Sequence, residues 1–156
     1  MGQSNSIDPT YSRPYHLTNP SLNILFVDDH SETRHVVGRL LKMLGHEVTT
    51  ADCVATALKA ADESRFHLLI SDIGLPDGNG HALLAELLAR GPIVGIAMSG
   101  YGMAEDVEQS LEGGFTAHLV KPVTVAQLEQ AIAQVKQRAL IAAPDPLGEL
   151  REPLGK

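Results

Sequence analysis

Cysteine occurs once, at Cys53, so no internal disulfide can form and the chain suits a reducing compartment. Cys53 itself reads as a small buried helix residue. Basic residues are also few: 12 Lys and Arg stand against 19 Asp and Glu, a formal net charge of -7 at pH 7. That balance argues against non-specific nucleic-acid binding, because a phosphate backbone is held by Lys and Arg. No apolar run approaches the ~20 residues of a membrane span. The N-terminus lacks the apolar core of a secretory signal. Met1-Gly2-Gln3-Ser4-Asn5-Ser6 fits an N-myristoylation pattern. With no polybasic partner it reads as a chance match, and one acyl chain would anchor only marginally. The expectation is a cytoplasmic protein with neither membrane nor nucleic-acid partner.

What is present is a regular alternation. At 156 residues and 44% hydrophobic content, the chain fits one domain with a full core. Residues 1–21 are polar and non-periodic and read as a flexible arm, and 142–156, rich in Pro, Gly and charge, as a disordered tail. Between them, in 22–141, apolar strands alternate with amphipathic helices. The first strand runs from about Asn23 to Asp28. A helix follows with Ser31 as its cap and Val36, Val37, Leu40, Leu41 and Leu44 on one face, and Gly45 ends it. Glu47 to Ala51, with polar Thr49 and Thr50, reads as an edge strand. Asp52 is placed as the cap of a helix carrying Val54, Ala57, Leu58 and Ala61.

The central strand is His67 to Asp72. After a Gly-rich loop, Leu83, Leu84, Leu87 and Leu88 form a third helical stripe closed by Gly91-Pro92. Ile93 to Ser99 is the fourth strand. A helix from about 104 to 112 shows the weakest stripe, Val107 and Leu111, and stops at Gly113-Gly114. Ala117 to Val120 is the fifth strand. Thr124-Val125-Ala126-Gln127 is a capping box opening a last helix with Leu128, Ile132 and Val135. Beyond this alternation there is no internal repeat.

Five strands alternating with five helices predict an α/β fold, a parallel sheet covered on both faces. Right-handed crossovers put the loops after each strand at one edge, where ligands of such sheets bind. Each apolar strand ends there on a polar residue: Asp28-Asp29, Asp72, Ser99, and Lys121 before Pro122. Three carboxylates at neighbouring strand ends repel one another unless a cation neutralises them. Oxygen-only donors suit Mg²⁺, and an Asp carboxylate can act as a nucleophile toward phosphorus. Lys121 can reach a carboxylate or a phosphoryl oxygen, Ser99 offers a hydroxyl, and Gly100 leaves room for a ligand. The remaining histidines, His30 and His81 among them, show no metal-ligand spacing and read as ordinary surface or core residues.

These residues resemble the receiver domain of two-component response regulators. The matching stretches are Val27-Asp28-Asp29, Ser71 through Gly80, Met98-Ser99-Gly100 and Leu119-Val120-Lys121-Pro122, over about residues 22 to 140. Ser99 and Lys121 lie 22 positions apart, which is also the family's spacing. The resemblance implies a flavodoxin-like (βα)5 fold, doubly wound, with five parallel strands in the order 2-1-3-4-5. It implies Asp72 as phosphoacceptor, Mg²⁺ held by Asp28, Asp29, Asp72 and the carbonyl of Gly74, Lys121 on the phosphoryl oxygens, and Ser99 bonding to them after transfer.

The implied donor is a phosphohistidine on a sensor histidine kinase or histidine phosphotransfer protein. The domain would not be a general enzyme, assisting only its own phosphorylation and dephosphorylation. It departs from the family at His118, where Tyr or Phe is usual and the ring swings inward as the hydroxyl moves. Tyr101, two past Ser99, is expected to shelter the phosphoryl group. Around Ala117–Pro122 the sequence is similar to receivers attached to hybrid sensor kinases, so a receiver portion of such a kinase is one alternative. With about 15 residues after the last helix, signalling is expected through the domain's own surface, the fourth helix, fifth strand and fifth helix. A Mg²⁺-dependent phosphatase with an Asp nucleophile is the alternative of another class; it requires Asp-x-Asp after the first strand, where Asp28 and Asp29 are adjacent.

Overall fold

The computed structural model describes residues 21–100, 109 and 111–142. The expected arm and tail lie outside these residues except for Ser21 and Ala142, as do Tyr101 and most of the helix expected over 104–112. In chain order the elements are β1 (Asn23–Val27), α1 (Ser31–Met43), β2 (Glu47–Ala51), α2 (Val54–Glu63), β3 (Leu68–Asp72), β4 (Gly74–Leu75), β5 (Gly78–Asn79), α3 (Gly80–Arg90), β6 (Val94–Ser99), β7 (Ala117–Val120) and α4 (Val125–Ala142). Strands β4 and β5 form a separate two-residue antiparallel ribbon in the loop after β3. The main sheet is parallel, in the order β2-β1-β3-β6-β7. Setting the ribbon aside, this is the expected order 2-1-3-4-5.

Alternation within the strands divides the core into two layers. Ile24, Phe26, Leu68, Ile70, Ile96 and Met98 face one side, against Val37 and Leu41 of α1 and Leu128, Ile132 and Val135 of α4. Leu25, Val27, Leu69 and Ala97 face the other, against Ala57 of α2, Leu83, Leu84 and Leu87 of α3, and Phe115. Both faces are therefore sealed, as uninterrupted apolar strands require. β2 is the sheet's edge, and its Thr49 and Thr50 are exposed. Three residues of the anticipated stripes turn out to face solvent, Val36 on α1 (54% exposed), Leu88 on α3 (46%) and Leu111 ahead of Gly113 (46%). Each stripe is narrower than its apolar residues suggest, because one flat sheet face covers only a sector of a helix.

Several helix ends differ from expectation. α1 has His30, not Ser31, at its N-cap, with no side-chain cap. α2 starts from Cys53, not Asp52; Cys53 is half-buried at this cap rather than buried within the helix. The orphan N–H groups of α2 are satisfied from a distance: Val54 N–H and Ala55 N–H donate to Asp77 Oδ1 and Oδ2 at 2.8 and 3.0 Å. These bonds hold the Asp77 carboxyl below the ordinary carboxylate range. The Thr124 capping box is formed as anticipated, with Thr124 N–H donating to Gln127 Oε1 (2.9 Å) and Gln127 N–H to Thr124 Oγ1 (3.1 Å). Gly45, at φ +97°, follows α1 in the left-handed region that favours glycine.

Ile70, fully buried in the central strand, should cost about 2–5 kcal/mol when truncated to Ala, whereas Val36→Ala should stay within about 0.5 kcal/mol. Urea unfolding of the two variants measures the difference.

Candidate functional site

Register brings the polar strand ends together. Val27 of β1 is level with Ser71 of β3, so Asp28, the next residue, lies level with Asp72. Asp72 is level with Met98 of β6, and Ser99 is level with Val120 of β7. Ser99 therefore projects one residue past the Asp72–Met98 pair, and Lys121 one residue past the Ser99–Val120 pair. Lys121 is tied down at its backbone, where its N–H donates to Ser99 O at 2.8 Å, and its bond to Pro122 is cis. A cavity at this edge is lined by Asp72, Gly74, Ser99 and Lys121, and by His30 and His81.

Charge concentrates here. Lys121 Nζ lies 2.8 Å from Asp28 Oδ2 and 3.0 Å from Asp72 Oδ2. Asp28 is fully buried and Asp72 nearly so, while the Lys121 side chain keeps 17% of its exposure. Asp28 Oδ1 accepts the N–H of His30 at 2.8 Å. Asp28 Oδ2 faces the Lys121 ammonium at that 2.8 Å distance. Burial pushes the Asp72 carboxyl above its ordinary range; Lys121 pulls it down, and the charges of Asp28 and Asp29 push it up again. Burial also works against the charge on Lys121, yet the hydrogen bonds and charges of Asp28 and Asp72 outweigh it and raise its pKa.

The donor set fits a small divalent cation. Asp28, Asp29 and Asp72 supply oxygens, and net negative charge remains after Lys121 is counted. Gly74 lines the same cavity. Two neighbours of Asp72 that the sequence did not single out hold its backbone. Ser71 Oγ donates to Asp72 O at 2.8 Å. Gly80 packs so close that a Cβ there would lie 2.6 Å from Asp72 O, so a side chain at 80 would displace the strand end that carries Asp72.

Ser99 is buried, and its Oγ lies 2.9 Å from His118 Nε2. The departure noted at His118 is thus a direct polar contact to the site hydroxyl. His30 is a second histidine that sequence reading passed over: its Nδ1 lies 3.3 Å from Asp28 Oδ1 and 3.2 Å from Asp29 Oδ1. Its position directly after two acids was the available signal. His81, set against Phe115 in an edge-to-face contact with ring centroids 5.6 Å apart, also lines the cavity.

The paired charges carry opposite consequences for stability. Because the folded pKa of Asp72 is raised, the fold favours its protonated form. Asp72→Asn should therefore be more stable than the parent at pH 7, and the gain should shrink as pH falls through the titration of Asp72. Lys121→Met should lose roughly 3 kcal/mol, since it strands buried Asp28 without its cation. The contribution of Lys121 should hold below its ordinary pKa and fade as pH rises through the raised value. Urea unfolding of the three proteins across pH gives the signs, and parallel curves for the parent and Asp72→Asn would contradict them.

Known proteins share this arrangement. Residues 24–133 match the family model of the response regulator receiver domain. The chain is 31% identical over 124 residues to the sensor histidine kinase RcsC of Salmonella typhi, covering 78% of this chain and 13% of the kinase. It is 33% identical over 127 residues to a 14.6 kDa protein from the sodA1 3′ region of Leptolyngbya boryana, covering 80% of this chain and 95% of that protein. The chain thus spans about an eighth of the length of the kinase and nearly all of the small protein. Among solved structures, a response regulator receiver domain from Clostridium thermocellum superposes with a TM-score of 0.69 at 28% identity, over 77% of this chain and 98% of that one. With the family model covering most of the chain, and with the sheet order in agreement, the chain belongs to the response regulator receiver family.

Proposed function

We propose that Asp72 takes a phosphoryl group from a phosphohistidine on a sensor histidine kinase or histidine phosphotransfer protein, and that the modified domain then switches a protein-binding surface. The observation that carries this reading is the placement of Lys121 Nζ between Asp28 and Asp72, 2.8 and 3.0 Å away. An ammonium there holds the nucleophile beside an acid whose remaining charge calls for a metal.

An oxygen of Asp72 attacks phosphorus as the P–N bond of the phosphohistidine breaks. The electron pair of that bond goes to the imidazole nitrogen, which takes up a proton, and an acyl phosphate is left on Asp72. Asp28, Asp29, Asp72 and the Gly74 carbonyl would hold Mg²⁺, which supplies neutralisation of phosphoryl charge during transfer. Lys121 follows the phosphoryl oxygens on its flexible stem, so positioning and electrostatics supply most of the rate. Ser99 then donates its hydroxyl to a phosphoryl oxygen. The contact with His118 bears on that donation: when Nε2 carries a proton it donates to Ser99 Oγ, and the Ser99 proton is left for the phosphoryl group.

The output surface combines β7, α4 and the segment before Gly113. Leu111, Val120 and Val125 are 46, 38 and 40% exposed there, apolar area suited to a protein partner. Charge added at Asp72 shifts the population of this face through Ser99 and β7. The similarity to RcsC favours a second reading, in which the chain works as the receiver portion of a hybrid sensor kinase. Among the described residues no helix is long and apolar enough to cross a membrane. The phosphatase alternative gains no support: Asp28 and Asp29 are consecutive, and Asp72 stands on a separate strand.

Incubation with acetyl phosphate and Mg²⁺ should add the mass of one phosphoryl group, and Asp72→Ala should add none. Retention of the mass gain in Asp72→Ala would overturn the assignment.

A further inference from the structure

His30 lines the pocket without a role in the proposed chemistry. His30 follows the acid pair and caps α1 with its backbone: its N–H donates to Asp28 Oδ1 at 2.8 Å, and its carbonyl accepts Arg34 N–H at 2.9 Å. The imidazole therefore hangs from a fixed point at the mouth of the site.

We propose that His30 Nδ1 is a metal ligand, and that the pocket consequently favours divalent first-row transition ions, from Mn²⁺ to Ni²⁺, over Mg²⁺. The inference rests on the reading above that the acid pocket takes a divalent cation. Its geometric support is independent of any phosphoryl chemistry. Nδ1 stands 3.3 Å from Asp28 Oδ1 and 3.2 Å from Asp29 Oδ1. Neighbouring donors on a six-coordinate ion with bonds of about 2.1 Å lie about 3.0 Å apart. One ring nitrogen of His30 and one oxygen from each of Asp28, Asp29 and Asp72 all fall within 4.8 Å of one another. Opposite donors on such an ion lie about 4.2 Å apart, so small side-chain adjustments bring all four groups onto one centre. Asp28 Oδ2, wholly buried in this cluster, is paired with the Lys121 ammonium at 2.8 Å, which leaves Oδ1 as the oxygen Asp28 offers beside His30 Nδ1.

The donor chemistry sets the preference. Mg²⁺ is a hard ion that takes oxygen and keeps its waters, and it gains little from a nitrogen donor. Imidazole is a borderline donor whose bonds strengthen along the series from Mn²⁺ to Ni²⁺. With carboxylates alone the site would discriminate weakly. His30 adds the one ligand that tells these ions apart.

Calorimetric titration of the full chain with MgCl₂, MnCl₂ and NiCl₂ tests this in the parent, His30→Ala and Asp29→Asn proteins. In His30→Ala the Ni²⁺-to-Mg²⁺ affinity ratio should fall on the order of tenfold, with Mg²⁺ affinity held within about twofold. Pulsed electron paramagnetic resonance of the Mn²⁺ complex should show nitrogen modulation from a bound imidazole in the parent and none in His30→Ala. A rise in affinity for all three ions alike in His30→Ala would overturn the proposal, because His30 would then be a competing cation. Absence of the nitrogen signal in the parent would overturn it too. Asp29→Asn separates the two levels: loss of all three ions there upholds the pocket whatever His30 does, and undiminished binding would remove the pocket itself.

Discussion

Two buried carboxylates share one ammonium, and the rest of the molecule is arranged to permit it. Asp28 and Asp72 end adjacent parallel strands, and Lys121 reaches both from the end of β7. Burying like charges side by side is unfavourable, and the raised pKa of Asp72 expresses that cost. A single lysine reduces the cost without removing it. The pocket is left with net negative charge, a common arrangement where stability is given up for chemistry.

Holding such a cluster requires a rigid frame. The strands carrying it are sealed on both faces by α1 and α4 on one side and α2 and α3 on the other. Each strand end is then fixed locally. Ser71 and Gly80 clamp the backbone of Asp72, Arg34 donates to the carbonyl of Asp28 at 2.8 Å, and Ser99 O holds the N–H of Lys121. Asp77 joins the loop after β3 to the start of α2, so the stretch containing Gly74 is tied at both ends. Side chains of this kind keep reactive groups within the small tolerances that positioning demands.

Much of this was legible in the chain. Apolar runs ending on Asp28, Asp72, Ser99 and, one residue later, Lys121 announced both the strands and the edge at which a site would form. Short apolar runs and helical stripes were enough to place every strand of the main sheet. The hidden parts were those in which a distant residue substitutes for a local one. Local propensity put Asp52 at the start of α2, where Asp77, more than twenty residues on, caps the helix instead. Val36 and Leu88 matched their helical stripes, but sheet curvature and helix orientation decide which sector is covered. His30 looked unremarkable because histidine has no periodic signature, and His118 stood out only as the position where the family usually has Tyr or Phe. Their contacts with Asp28, Asp29 and Ser99 exist only once the strands are in register.

A crystal structure of the chain with Mg²⁺ and beryllium fluoride tests the central assignment most directly, because the fluoride mimics a phosphoryl group at the attacking oxygen. The expected result is beryllium on an Asp72 carboxylate oxygen, the metal among Asp28, Asp29 and Asp72, and Lys121 Nζ moved from Asp28 onto a fluoride. Beryllium fluoride bound elsewhere, or an Asp72–Lys121–Asp28 cluster unchanged at saturating ligand, would contradict it.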